Sequence, residues 1–206
     1  MVPLWLTRTD SGVRQVISTI PGSERFGQVV ENRLRQSGPL PLGKQTAIAV
    51  REDRIYVATG ERYEILVFDF AGKQLEPMRD SRVVPPTTRE DIDYLKQKAL
   101  ARAQSLEQRA RIERYYAEIP FPKTLPAYSA LLIDGAGHVW AQDHARAESP
   151  TTNWTIFDSR GRRVAAAALP AHFEAYEIGS DYVLGRFMDP DEAIPQVRLY
   201  RLRRGR

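Results

Sequence analysis

Three segments of this chain carry the same short hairpin, and two of the three are followed by the same continuation. IAVREDRIYVA (48–58), LLIDGAGHVWA (131–141) and YEIGSDYVLG (176–185) each run apolar strand, polar turn, apolar strand. ILVFDFAGKQL (65–75) and WTIFDSRGRRV (154–164) share Phe-Asp, two residues, Gly and a basic residue, and LWLTRTDSGVRQV (4–16) fits this second half. Self-similarity of this kind constrains a fold strongly, because each copy must solve the same packing problem as its neighbours.

One full unit, clearest in Ala127–Val164, is about 40–45 residues long, the size of a four-stranded propeller blade. A lone sheet of that size leaves two apolar faces in water, so each unit must bury its faces on the next. Apolar runs such as Ile65–Phe68 and Ala127–Ile133 fit strands covered on both sides. The Asp-x-x-Gly turns supply a side-chain acceptor and a residue tolerant of positive φ where strands reverse. The expected fold is therefore all-β: a partial β-propeller of about three to four four-stranded antiparallel blades in a single domain, 1–206. The blades are placed at 4–17 (half a blade), 46–79, 127–168 and 173–203. Residues 23–45 fit short strands or a short helix, broken by Ser37-Gly38-Pro39, Pro41 and Gly43.

Residues 83–120 interrupt the rhythm. Val83-Val84-Pro85-Pro86 is an extended linker, since proline fixes its own φ and biases its predecessor away from helix. Thr88 and Asp91 make a capping-box start. Ile92, Leu95, Ala99, Ala103, Leu106 and Ala110 then recur at three- and four-residue intervals, which predicts one inserted surface helix over about 88–117. Its remaining faces are charged, and Pro120 and Pro122 end it. The packing reading is a surface helix seated by one stripe. The functional alternative is a lid or partner-binding helix.

Composition excludes several chemistries. There is no cysteine among the 206 residues, so disulfides, thiolate nucleophiles and thiolate metal ligands are ruled out. No apolar run reaches the ~18 residues of a membrane-spanning helix, and the start, MVPLWLTRTDSG, has no signal-peptide pattern. A net charge of +4 is of the size that serves solubility, not polyanion binding. Of the 30 basic residues only five are lysine, and the densest arginine cluster is Arg201, Arg203, Arg204 and Arg206. No base-reading motif accompanies it, so a solvated tail is expected and nucleic acid is not an expected partner.

The candidate ligand-binding residues are Trp140, Asp143 and His144. An aromatic at a strand end offers a stacking surface, although a Trp in this position also serves inter-blade packing. Asp143-His144 follows the Trp140 strand and points toward where a propeller channel opens. A metal site needs three or four convergent ligands, and neither HxH nor HExxH occurs, so no metal or cofactor is expected. His138 sits in a hairpin turn, where exposure is expected. Asp189 and Asp191 flank Pro190 in one loop, which does not place them as opposed glycosidase carboxylates. Ser11, Ser129 and Ser180 lack a GxSxG context. No catalytic residue is assigned.

On these residues the chain resembles six-bladed β-propeller proteins of the NHL-like and TolB-like class, in particular a bacterial family of six-bladed propellers. The resemblance is carried by Arg62-Tyr63-Glu64-Ile65, Phe68-Asp69 and Gly72. It continues in Leu125-Pro126-Ala127-Tyr128, Asp134 to Gly137 with Trp140, Phe157-Asp158 with Gly161, and Leu199-Tyr200-Arg201-Leu202. It implies a propeller fold, export to a periplasmic or extracellular location, and a binding or scaffolding role, and it carries no catalytic residues. About three and a half blades fall short of a closed ring, so a truncated propeller is expected, or a half-propeller that self-associates through open blade edges. The function expected is a non-enzymatic module binding a protein or small ligand at a channel mouth. The alternative is a propeller hydrolase or lyase with a divalent ion at Asp143 and His144.

Overall fold

The structure, a computed structural model, describes residues 1–7, 9–30, 33–146, 149–189 and 194–203. Pro190 and Asp191 of the expected acidic loop, and Arg204 and Arg206 of the terminal cluster, lie outside the described residues. Among these residues the architecture is all-β, a partial propeller-like series of five antiparallel sheets without barrel closure. Strands β1 (Val2–Thr7) and β2 (Arg14–Ile20) pair alone, as do β3 (Arg25–Val30) and β4 (Arg33–Pro39). A four-stranded sheet follows: β5 (Ala47–Arg51), β6 (Arg54–Ala58), β7 (Glu64–Asp69) and β8 (Met78–Arg79). A second comprises β9 (Tyr128–Ile133), β10 (Val139–Asp143), β11 (Thr151–Phe157) and β12 (Arg163–Pro170). The last has three strands, β13 (Phe173–Ile178), β14 (Tyr182–Met188) and β15 (Pro195–Arg201). Within each sheet the strands neighbour one another in chain order, so short turns suffice throughout.

Alternation along the middle strands explains why they read as unbroken apolar runs. In β6, Ile55 and Val57 join Leu4, Ile17 and Ile20 of the first sheet, whereas Tyr56 and Ala58 face the other way into a cluster with Tyr128, Val139 and Phe157. In β10, Val139 and Ala141 enter that same cluster, and Trp140 faces the last sheet with Trp154, Phe173 and Val183. Each such strand is apolar on both sides because both sides are core.

The repeated turns are one structure. At Asp134 and Asp158 the carboxylate accepts the backbone N–H two and four residues on, all at 2.9 Å. Asp69 accepts from Lys73 N–H in the same way, also at 2.9 Å. The glycine three residues after each aspartate has φ of +87° (Gly72), +88° (Gly137) or +77° (Gly161). Two of these glycines also allow close approach to a neighbouring sheet. A Cβ on Gly72 would lie 3.0 Å from the Ile17 carbonyl oxygen, and one on Gly161 3.3 Å from Met78 Cγ. Ile17 lies in the last strand of the β1–β2 sheet and Met78 in the last strand of the β5–β8 sheet. The Asp134 turn binds three sheets. Arg51 donates to the carbonyls of Asp134 and Gly135, and Gly135 N–H donates to Ile178.

Of the two alternatives for residues 23–45 the strands are found: β3 and β4 pair antiparallel, zipped at their base by Glu24 and Lys44, whose backbone N–H groups respectively bond the Lys44 carbonyl and the Glu24 carboxylate at 2.8 Å. Two expectations are corrected. Only two of the sheets have four strands. The single helix over 88–117 is two helices, α1 (Arg89–Ala101) and α2 (Leu106–Glu118). The Thr88–Asp91 capping box is formed as expected. The break arises because the Ser105 hydroxyl accepts from Gln108 N–H and starts a new helix, while Gln108 Oε1 takes Gln104 N–H. The stripe does not cross the break, and Leu106 is 85% exposed.

The helix pair hangs from a narrow stalk. Thr87 N–H bonds the Lys123 carbonyl and Leu125 N–H the Pro85 carbonyl, both at 3.0 Å. The Tyr116 hydroxyl donates to the Leu95 carbonyl, and Phe26 of β3 packs on Tyr115 with ring centroids 5.8 Å apart. No helix among the described residues is long and apolar enough to cross a membrane.

Candidate ligand cleft

The end of β10 directs its last residues to two different places. Asp143 turns toward the preceding sheet, where Arg82 holds it with two hydrogen bonds, Nη1 to Oδ2 at 2.6 Å and Nη2 to Oδ1 at 3.1 Å. The same guanidinium reaches Asp80 through Nε at 2.9 Å and the Thr155 hydroxyl through Nη2 at 2.7 Å, and it lies 4.1 Å from the Tyr63 ring centroid. Arg163 completes the cluster at 3.3 Å from Asp80. Burial opposes the Arg82 charge, but the hydrogen bond and charge of Asp143 more than offset it, and the guanidinium stays protonated. Tyr128 packs edge-on against Tyr63 with its hydroxyl buried and unpartnered; burial raises the pKa of that phenol far above its ordinary value. With its carboxylate so engaged, Asp143 offers no free ligand to a metal ion. The cluster is an inter-sheet staple.

His144 takes the other direction. Its backbone N–H bonds the Ala127 carbonyl at 3.1 Å, and its imidazole lines a cleft of about 700 Å³ between α1 and the loops that join β10, β11, β12 and β13. Burial lowers the imidazole pKa, so the ring is neutral near pH 7; Asp91 opposes the shift and Arg146 reinforces it. Leu42, Leu95, Pro150, Pro170 and Phe187 give the cleft its apolar walls. Thr152 also lines it, its hydroxyl buried with no hydrogen-bond partner. Lys98 and Arg146 stand exposed at the rim, with Lys98 above the Tyr94 ring and Arg146 donating to the Pro86 carbonyl at 3.1 Å. Asp91, the carboxylate in this lining, is spent on the start of α1, its Oδ2 accepting Thr88 N–H and hydroxyl at 2.9 Å each.

Trp140 does not join this site. It is 2% exposed, and its Nε1 donates to Asp134 Oδ2 at 3.2 Å, toward the opposite end of β10. Its ring borders a separate pocket of about 260 Å³ beside β12 and Leu202. His138 is half-buried instead of free in solvent, its Nδ1 3.1 Å from Asp134 Oδ2. Among the described residues no group of three or more His, Asp or Glu is arranged to hold a metal ion.

Sequence reading did not find Lys98, Arg146, Thr152 or Arg82. Thr155 was the available signal for Arg82, since a polar residue inside an apolar, doubly covered strand demands a polar partner. The cleft had none, because its lining comes from residues between 42 and 187 that share no local pattern. No protein-family profile matches the chain, and no curated protein matches it in sequence.

Proposed function

We propose that this protein is a non-catalytic binding module that takes a small ligand in the cleft between α1 and the β10–β13 loops. The observation that supports this reading is a concavity of about 700 Å³, apolar in its walls, into which a neutral imidazole and an unpaired hydroxyl converge. That combination is the usual make-up of a ligand pocket. A neutral apolar dye, N-phenyl-1-naphthylamine, tests it: saturable binding of one dye per chain is expected, abolished by Leu95→Trp, which fills the cleft. Binding that survives Leu95→Trp in a protein with an unchanged melting curve would overturn the reading.

Membership of the six-bladed propeller class, and the extracytoplasmic location that goes with it, belong to the same proposal and rest on the resemblance. Cell fractionation of the native protein checks the location.

A second reading, self-association, is favoured by the outward face of the last sheet. Among the described residues three apolar clusters seal the contacts of β1–β2 with β5–β8, of β5–β8 with β9–β12 and of β9–β12 with β13–β15. The outer side of β15 carries Val197 at 82% and Leu199 at 61% exposure, and the outer side of β1–β2 carries the exposed cross-strand pair Trp5–Val16. A second copy, docking its first sheet on this face, would continue the same succession of interfaces head to tail.

A further inference from the structure

We propose that the ligand of the cleft is a small aryl monoanion, an aromatic body with one carboxylate or sulfonate head. This rests on the binding-module reading and adds the chemical class to it. The two cations of the lining keep donors to spare. Lys98 forms no ion pair among the described residues, and Arg146 spends one donor on the Pro86 carbonyl and keeps the rest of its fork. The buried Thr152 hydroxyl lacks a partner, and His144, neutral through burial, carries one ring N–H. Asp91, the carboxylate among the described lining residues, accepts from Thr88 through Oδ2 and forms an ion pair with neither cation. A ligand anion would satisfy both cations, and among the described residues two rim cations against one buried aspartate favour a single negative charge over a dianion. The body is indicated by the walls. Leu95 and Phe187 with the flat rings of Pro150 and Pro170 suit a planar apolar group, and about 700 Å³ is far more than a bare oxyanion needs.

The test pairs two dyes with the same aryl skeleton, 8-anilinonaphthalene-1-sulfonate and the uncharged N-phenyl-1-naphthylamine, titrated into the full chain by fluorescence. The double variant Lys98→Gln/Arg146→Gln is expected to weaken the sulfonate dye about tenfold, the combined effect of two partly exposed charge contacts. It should leave the neutral dye within about twofold. 1-Naphthoate should displace the sulfonate dye, whereas 1-naphthalenemethanol and inorganic phosphate should not. Equal loss of both dyes in the double variant, or equal competition by naphthoate and naphthalenemethanol, overturns the anion assignment. Displacement by phosphate overturns the aryl requirement. Leu95→Trp separates this failure from the broader one: if it abolishes both dyes while the charge dependence is absent, the cleft binds ligands but not by this chemistry. If it abolishes neither, both proposals fall.

Discussion

Arg82, just after β8, and Asp143, at the end of β10, meet in a bidentate pair of 2.6 and 3.1 Å. The pair is further tied by Asp80, Thr155 and the Tyr63 ring, so its geometry is held on every side. Arg82→Met leaves the largely buried Asp143 carboxylate without its cation and Asp80 with Arg163 alone, and is expected to cost about 2 kcal/mol, less than a fully buried pair because the guanidinium is partly exposed. Arg82→Lys should recover only part of this, since an ammonium cannot reproduce the fork. Urea denaturation of the two variants measures both effects.

Stability should depend on His144 below neutrality. Its folded pKa lies below the ordinary value of 6.5 because of burial, so the unfolded chain binds the proton more readily. The contribution is complete above pH 6.5 and is lost as the pH falls from there to the folded pKa. His144→Gln is expected to flatten the fall in urea midpoint over this window. A fall of unchanged size in the variant would assign it to other groups.

The two halves of the helical insert should respond differently to truncation. Leu100 in α1 is buried, and Leu100→Ala should cost about 2–3 kcal/mol. Leu106 opens α2 in solvent, and Leu106→Ala should stay within about 0.5 kcal/mol. Thermal melts of the two variants decide whether the helix break is real, because a continuous stripe would make both costly.

Alanine at the turn glycines should give a graded series. Gly12, with φ +67° and open space around it, pays only the conformational strain of about 1 kcal/mol. Gly161 adds a contact with the flexible Met78 side chain, and Gly72 adds one with the Ile17 backbone carbonyl, which cannot yield. The expected order of destabilisation is Gly12→Ala, then Gly161→Ala, then Gly72→Ala. Equal costs would show that the close sheet-to-turn approach does not matter.

Sedimentation tests the outer face. Concentration-dependent association is expected for the native chain, and Leu199→Glu should leave monomers with an unchanged melting temperature. Association that persists in this variant would remove β15 from the interface.

The fold was legible to the extent that it repeats. Ile55, Tyr56, Val57 and Ala58 announce a strand between two sheets because successive residues serve successive cores, and Asp134 and Asp158 mark turns that close identically. The helix count failed on Ser105: apolar spacing over 92–110 continues across a residue whose hydroxyl competes for backbone, and spacing alone carries no record of that competition. Of the three candidate residues, His144 reached the cleft, Asp143 went to a staple and Trp140 to the core. Adjacent residues on an extended segment face opposite ways, so the pair Asp143-His144 could not have supplied two groups to one site.

The stalk at Pro85 and Leu125 has a further consequence. Because the chain leaves and re-enters the sheets at hydrogen-bonded neighbours, the two helices are a cassette whose removal would leave the ends of β8 and β9 still within reach of a short splice. One wall of the cleft is thus modular and the other is framework. On the proposed reading, exchanging the cassette would rebuild one wall of the cleft while the stacked sheets that carry His144 and Thr152 keep their register.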